Sequence, residues 1–273
     1  MAVRRPLVLI GGQVQELPAT DSLPGSGGPA AWADITGRPG LVGTDGFTCL
    51  ALPLRYDIVT SLGGEFVVQA GTRATEVISN VSLRASLPRW SLKGSGAANG
   101  NAGEYMQPLQ AMVSASGSAI GGFTYLARFS VTSVLATQRG FVGVLSYLTN
   151  STGDEPYNGP DNIGLAFSAG VDANYQMVCH QDYGVLTKQD TGIAVGDTNA
   201  VFELVMKNAP GSGSIQWRLK NINSGASATG AFTSNLPGPT KTLNHKAFIN
   251  NAGNTGVVSL EFMHVFLGSY IPD

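Results

Sequence analysis

The residues from Gly121 to Leu148, GGFTYLARFSVTSVLATQRGFVGVLSYL, constrain the fold more than any other stretch. Phe123, Tyr125, Ala127, Phe129 and Val131 fall on one face of an extended chain. Thr124, Arg128, Ser130 and Thr132 fall on the other, with Leu126 the exception. That period of two is the mark of a half-buried strand. After a polar turn, Phe141, Leu145 and Tyr147 alternate with Val142, Val144 and Leu148. This second strand is apolar on both faces, so it belongs mid-sheet and covered on both sides. The two read as a hairpin at the middle of a β-sandwich, with the other strands stacked around it.

Downstream the pattern repeats. Asn162–Ala169 and Tyr175–Gln181 read as strands. In Ala200–Lys207, Phe202, Leu204 and Met206 oppose Glu203 and Lys207. Pro210-Gly211-Ser212-Gly213 turns the chain, and Ile215, Trp217 and Leu219 then alternate with Gln216, Arg218 and Lys220. Asn223-Ser224-Gly225 is another turn, and Ala226–Thr233 is a small-residue strand suited to a sheet edge. In the last strand Val258, Leu260, Phe262, His264 and Phe266 are expected to face inward, which makes His264 a satisfied core histidine. Upstream, Phe47–Leu54, Glu65–Gln69 and Glu76–Leu83 are strand candidates, and Gly94–Gly103 is a flexible polar loop without the order of a phosphate loop. No amphipathic helix and no fixed repeat is evident. The fold class is therefore all-β.

Composition agrees. The 273 residues include 36 Gly and 14 Pro, as a many-turned β protein requires. Charged residues make up 12%, the formal net charge is −2, and no basic run exceeds two residues. Nucleic acid and anionic membranes are accordingly poor partners. No apolar run approaches the roughly 18 residues of a membrane-spanning helix. Leu7–Ile10 is too short for the apolar region of a signal peptide, so secretion by such a signal is not expected. Cys49 and Cys179 lie far apart and read as buried free thiols, with a single disulfide as the other reading.

Residues 1–45 differ from the rest. One apolar run, Leu7–Ile10, is followed by Pro18, Pro24, Gly25, Gly27, Gly28, Pro29, Pro39 and Gly40. Such a segment cannot bury enough to fold alone. It reads as an arm that orders against a partner, with Leu7, Val8, Leu9 and Ile10 adding a strand to an exposed sheet edge.

The sequence RRPLVLIGGQVQELPATDSLPG, Arg4–Gly25, resembles the opening of many tailed-bacteriophage virion proteins. The resemblance implies a virion-attachment module, with Arg4, Arg5, Pro6, Leu7, Val8, Leu9 and Ile10 as its anchoring residues. A second resemblance covers Gly121–Asp273. The order GFTYLARFSV, RGFVGVLS, DEPYNGPDNIGLAF, AVFELVMKNAPGSGSIQWRLKNINSGASATG and VVSLEFMHVFLGSYI is similar to the C-terminal domains of phage tail-fibre and virion-appendage proteins. That family implies a concanavalin-like jelly-roll sandwich and a trimer. The expected organisation is thus an arm (1–45) and a jelly roll (46–273), with 46–115 either its first strands or a separate shoulder region.

Chemistry is sparse. His180, His245 and His264 lack metal spacing, and no G-x-S-x-G elbow is present. A glycosidase needs two carboxylates across a sugar, yet no E-x-D-x-x-E alternation occurs, and Asp154-Glu155 sits in a turn. Asp172-Ala173-Asn174 with Asp182 resembles a set of calcium oxygens, but D-x-N is also ordinary turn chemistry. Trp90, Tyr105, Tyr157 and Tyr183, in loop-like segments, are candidates for stacking on sugar rings, whereas Trp217 lies on a core face. No cofactor and no catalytic residue is indicated. The preferred reading is a non-enzymatic particle protein, made in the bacterial cytoplasm and carried on the virion. Its arm docks it to other virion proteins, and its sandwich binds a host-surface glycan or protein. The rivals are a capsid decoration or head-fibre protein and, last, a polysaccharide-degrading enzyme. Self-association would cover the uncharged edge at Ala226–Thr233, and the phage-appendage resemblance implies three copies.

Overall fold

The computed structural model describes residues 7–10, 13–16, 65–97, 100–107, 111–118, 121–133, 135–146, 161–182 and 184–270. The chain divides into two units, Met1–Ala51 and Leu52–Asp273. In the first, β1 (Leu7–Ile10) and β2 (Gln13–Glu16) form an antiparallel hairpin, with Leu7 opposite Glu16 and Ile10 opposite Gln13. The apolar run is a strand, and its partner is the stretch that follows it. Arg4, Arg5 and Pro6 lie outside the described residues, as does the expected strand Phe47–Leu54.

The second unit contains β3 (Glu65–Ala70), β4 (Thr72–Thr75), a one-turn helix α1 (Leu83–Ser86), β5 (Trp90–Lys93), β6 (Asn101–Gln107) and β7 (Ala111–Met112). These are followed by β8 (Phe123–Val131), β9 (Arg139–Leu145), β10 (Asn162–Ser168), β11 (Asn174–His180) and β12 (Leu186–Ala194). The remaining strands are β13 (Phe202–Asn208), β14 (Ile215–Asn221), β15 (Ser227–Phe232), β16 (Thr242–Asn250) and β17 (Ser259–Ser269). Among the described residues they form two antiparallel sheets. Sheet I has the order β12-β11-β10-β9-β16-β6-β3, with β7 also on β16. Sheet II has the order β15-β14-β13-β8-β17-β5-β4.

The Gly121–Leu148 stretch is central, but it is not a hairpin. β8 lies mid-way across sheet II between β13 and β17. β9 lies mid-way across sheet I between β10 and β16. The polar link between them crosses from one sheet to the other. The expected faces of β8 hold: Phe123, Tyr125, Ala127, Phe129 and Val131 enter one continuous core with Val142, Val144, Ile163, Leu165 and Tyr175 of sheet I. Phe141, on the opposite face of β9, joins Ala166, Val178 and Phe248 in a second, smaller cluster. This explains why β9 is apolar on both sides.

In the main core, aromatic rings run in contact from one sheet to the other. Trp90 stacks on Phe262 at 5.7 Å, Phe129 meets Phe202 at 5.8 Å, Tyr175 meets Phe202 at 5.0 Å, and Phe167 meets Tyr175 edge-on at 5.4 Å. Aromatic pairs at such spacings add about 0.5–1.5 kcal/mol each beyond the area they bury.

Two expectations fail for local reasons. Glu76–Leu83 is not a strand. The chain leaves β4 at Thr75, and the Ser82 hydroxyl accepts from Ala85 N at 3.1 Å to cap α1. In β17 the ladder to β8 is regular until Phe262, opposite Phe129, and resumes with His264 opposite Arg128. The extra residue is a bulge, and it reverses the phase of everything beyond it. Val258, Leu260, Phe262, Val265 and Leu267 enter the core, whereas His264 and Phe266 turn to the outer face of sheet II.

The edges are handled by the chain itself. β3 and β4, the last strands of the two sheets, are one continuous run bent at Gly71. Its φ is +75°, and an added Cβ there would stand 2.4 Å from Lys93 O. On the opposite side, Gln189 of β12 accepts from Trp217 Nε1 at 2.7 Å and donates to Ala231 O of β15 at 2.9 Å. One side chain thus clips the sheets together and blocks part of the β15 edge. β15 is an edge strand, as its composition predicts.

Gly192 also has a positive φ, +66°, but nothing lies within 4 Å of its missing Cβ. The two sites separate backbone strain from crowding. Gly192→Ala should cost about 1–2 kcal/mol, the penalty for the left-handed region. Gly71→Ala should add roughly 1–3 kcal/mol of steric cost to that. Urea unfolding of the two variants measures the difference.

Candidate functional site

At one end of the sandwich Ser146, which donates to Asp161 O at 2.9 Å, Asp161 itself, the end of β11 with Gln181 and Asp182, and residues 233–241 between β15 and β16 lie together. Loops held at one end of a rigid scaffold are where binding side chains concentrate. The centre of this end is Asp161, just before β10 and only 1% exposed. Its Oδ1 accepts from Gly238 N at 3.2 Å. Its Oδ2 has no hydrogen-bond partner among the described residues. Lys241 Nζ stands 3.9 Å from that oxygen, a Coulombic contact too long for a hydrogen bond. The same ammonium lies 3.9 Å from Asp182 Oδ1. Asp161 is therefore a buried post, and Lys241 and Asp182, whose side chains are 45% and 67% exposed, form the rim above it.

Backbone geometry holds the rim in place. Asp182 and Asn235 both adopt positive φ, 43° and 54°, a conformation that Asp and Asn tolerate better than most residues. Gly184 N donates to Gln181 O at 2.7 Å, closing the β11–β12 turn, and His180 Nε2 shares a hydrogen bond with Gly184 O at 2.9 Å. Asn235 Nδ2 donates to Thr187 Oγ1 at 3.0 Å, and Asn235 O accepts from Cys179 Sγ at 3.3 Å. The 233–241 connection is thus tied to both β11 and β12. Cys179 is a free, buried thiol. Burial, and secondarily the negative Asp161, push its pKa up to about 12. Cys49 lies outside the described residues.

Of the four aromatic candidates, Tyr157 and Tyr183 lie outside the described residues. Trp90 is not in a loop. It is part of β5, buried at 8% exposure against Phe262, with the Arg73 guanidinium 5.1 Å from its ring centre. Core packing removes it from any ligand. Tyr105 is on β6 at the register position opposite Lys246, away from the loop end. Trp217 is a core residue, as expected.

The suggested calcium oxygens do not assemble. Asp172 accepts from Ser168 N at 3.0 Å and pairs with Lys188 at 2.9 Å, while Asn174 donates to Asp190 at 3.0 Å. Asp182 stands at the opposite end of β11. The residues sequence reasoning missed are Asp161, Lys241 and Gly238. Asp161 follows a Gly-Pro pair and reads as turn chemistry, and nothing in spacing predicts that Lys241 will meet it 80 residues later.

What this end offers chemically is the exposed Asp182 carboxylate beside the Lys241 ammonium with its three donors, both held above the buried Asp161. Alternating acceptors and donors of this kind match the hydroxyls of a sugar, each of which donates one hydrogen bond and accepts others.

No protein-family model matches the chain, and neither does any curated protein sequence. Solved structures do resemble it. A legume lectin-like domain from Entamoeba histolytica superposes with a TM-score of 0.51 at 7% identity, covering 80% of this chain and 95% of that one. The fold is a concanavalin-like jelly roll. Peanut lectin bound to a nine-residue peptide gives a TM-score of 0.49 at 10% identity over 77% of this chain and 99% of its own. The CBM2 module of the evolved Dit of Lactobacillus casei phage J-1 gives 0.43 at 12% identity over 74% and 88%. At these identities the likeness establishes architecture alone.

The packing at Cys179 makes a direct prediction. With a pKa of about 12, roughly one thiol in ten thousand is ionised at pH 8. Ellman's reagent at pH 8 should leave Cys179 untouched in native protein and modify it on unfolding in urea. Because the folded thiol ionises less readily than the unfolded one, its share of stability is intact below pH 9 and declines above it.

Proposed function

We propose that the protein is a non-enzymatic adhesion component of a bacteriophage particle. The N-terminal arm attaches it to other virion proteins, and the loop end of the sandwich grips a glycan on the host surface. The observation that carries this reading is the Asp161–Lys241–Asp182 constellation. It sets opposed donors and acceptors on a rim of two loops, fixed to a buried carboxylate at one end of a rigid sandwich. The concanavalin-like fold supports it at the level of architecture. The phage assignment rests on the resemblance of Arg4–Gly25 to virion-attachment segments.

The protein is further proposed to be a homotrimer. On β15, Ser227, Thr229 and Ala231 are exposed and uncharged, and the clip from Gln189 satisfies Ala231 O alone. Identical neighbours would cover the rest of that edge, and three copies would turn weak single contacts into firm attachment. A capsid decoration role shares the arm but has no need of the loop-end rim, so the rim favours adhesion.

Two measurements test the reading. Full-length protein carrying Lys241→Gln and Asp182→Asn, which keeps a residue tolerant of positive φ at 182, should keep its stability within about 1 kcal/mol, yet lose most of its binding to host cells. Unchanged cell binding overturns the loop-end assignment. Deletion of Met1–Gly12 should abolish incorporation into particles, and full incorporation of that deletion overturns the attachment role.

A further inference from the structure

The outer face of sheet II carries charge in an unusual ratio. Glu203 of β13 accepts from Arg128 Nε at 2.7 Å and from Arg218 Nη2 at 2.9 Å. Glu261 of β17 accepts from Arg84 Nη1 at 2.8 Å and from Arg89 Nε at 2.7 Å. Each carboxylate thus has two guanidiniums, and each group of three carries a net +1. Lys220 lies across the ladder from Glu203 and has no ion pair among the described residues. Lys207 of β13 and the Lys93–Glu76 ion pair beside Ser91 share this face, so the described residues set seven cations against three anions, 7 − 3 = +4, on a chain whose formal net charge is −2.

Between the two groups sits His264. The β17 bulge places it on this outer face, opposite Arg128 and three residues from Glu261. It is 8% exposed, and its Nε2 has no hydrogen-bond partner among the described residues. Burial first, and Arg128 second, hold its pKa down to about 4, with Glu203 opposing. The ring is therefore neutral at pH 7. Two of the flanking guanidiniums reach solvent: Arg84 is 20% and Arg128 is 35% exposed. Phe266, turned outward by the same bulge, is half-buried one register row away, beside Leu126.

We propose that this face is a second binding site, for a sugar bearing an oxyanion. The carboxylate or phosphate would lie between Arg84 and Arg128 over His264, with the sugar ring against Phe266. Guanidiniums match both oxyanions in geometry. An aromatic ring beside cations is what separates an acidic sugar from a bare anion. The site stands apart from the loop end, and its test is independent of that reading. Neither Lys241 nor Asp182 contributes to it.

The test uses full-length protein and four probes: tetragalacturonic acid, its neutral methyl ester, galactose 6-phosphate and inorganic phosphate. Calorimetry gives affinity, and imidazole NMR follows His264. An anion beside the ring favours the imidazolium, so bound acidic sugar should raise the His264 pKa by about one unit. Binding by the tetra-acid alone assigns a carboxylate ligand, and binding by the sugar phosphate alone assigns a phosphate ligand. Binding by both assigns the shared oxyanion chemistry, and all three support the site. The methyl ester and inorganic phosphate should bind at least tenfold more weakly.

Lys220→Gln should weaken acidic-sugar binding roughly threefold, and Lys220→Arg, which keeps the charge, should leave it within about twofold. Retained binding by Lys220→Arg separates the loss of charge from misfolding. Equal binding of the methyl ester, equal binding of inorganic phosphate, or a His264 resonance indifferent to the tetra-acid overturns the proposal.

Discussion

The two sheets meet face to face along β8 and β16, and the hydrogen bond between the Tyr125 hydroxyl and His245 Nδ1, 3.0 Å long, fixes how they meet. Both groups are fully buried. A buried polar group left without its partner costs about 1–3 kcal/mol, so an arrangement that separates this pair is penalised twice. The rings are also stacked, and His245 meets Phe262 of β17 edge-on at 5.8 Å. One contact thereby aligns three strands. A slip of any of them by one residue would turn the aromatic core outward. The rest of the structure follows: β8 and β9 take the centres of their sheets, the remaining strands add outward, and the edges close at Gly71 and Gln189.

How much of this could be read beforehand depends on whether the information was local. The faces of β8, β13 and β14 are plain in the alternation of Phe202, Leu204 and Met206 or of Ile215, Trp217 and Leu219. Pairing partners are not local, which is why β8 and β9 read as a hairpin although they belong to different sheets. β16 escaped notice because Asn244, Lys246 and Asn250 lie on its outer face and His245 on its inner one, so its hydrophobic pattern is faint. The bulge after Phe262 has no sequence signal of its own, and it moves His264 to the other face of β17. His264, expected in the core, lies on the outer face, and His245 is the core histidine. Trp90 read as a loop residue because Pro88 precedes it, whereas the strand begins two residues later.

The strands supply rigidity and spend their inner faces on the core. The two proposed recognition sites use what is left: the loop end, where Asp161 anchors Lys241 and Asp182, and the outer face of sheet II, where two carboxylates organise four arginines. Each depends on residues far apart in sequence: Asp161 with Gly238 and Lys241, Arg84 and Arg89 with Glu261. Such sites become visible only when the sheet register is known, and neither carries a motif that spacing alone would reveal.

The central claim is adhesion to a surface glycan, and one measurement bears on it most directly. Adsorption of the labelled full-length protein to host cells is compared before and after mild periodate treatment, which cleaves vicinal diols of sugars and leaves surface proteins largely intact. The account predicts that periodate removes most of the adsorption and that protease treatment of the cells does not. Adsorption that survives periodate, or no adsorption to untreated cells, would contradict it.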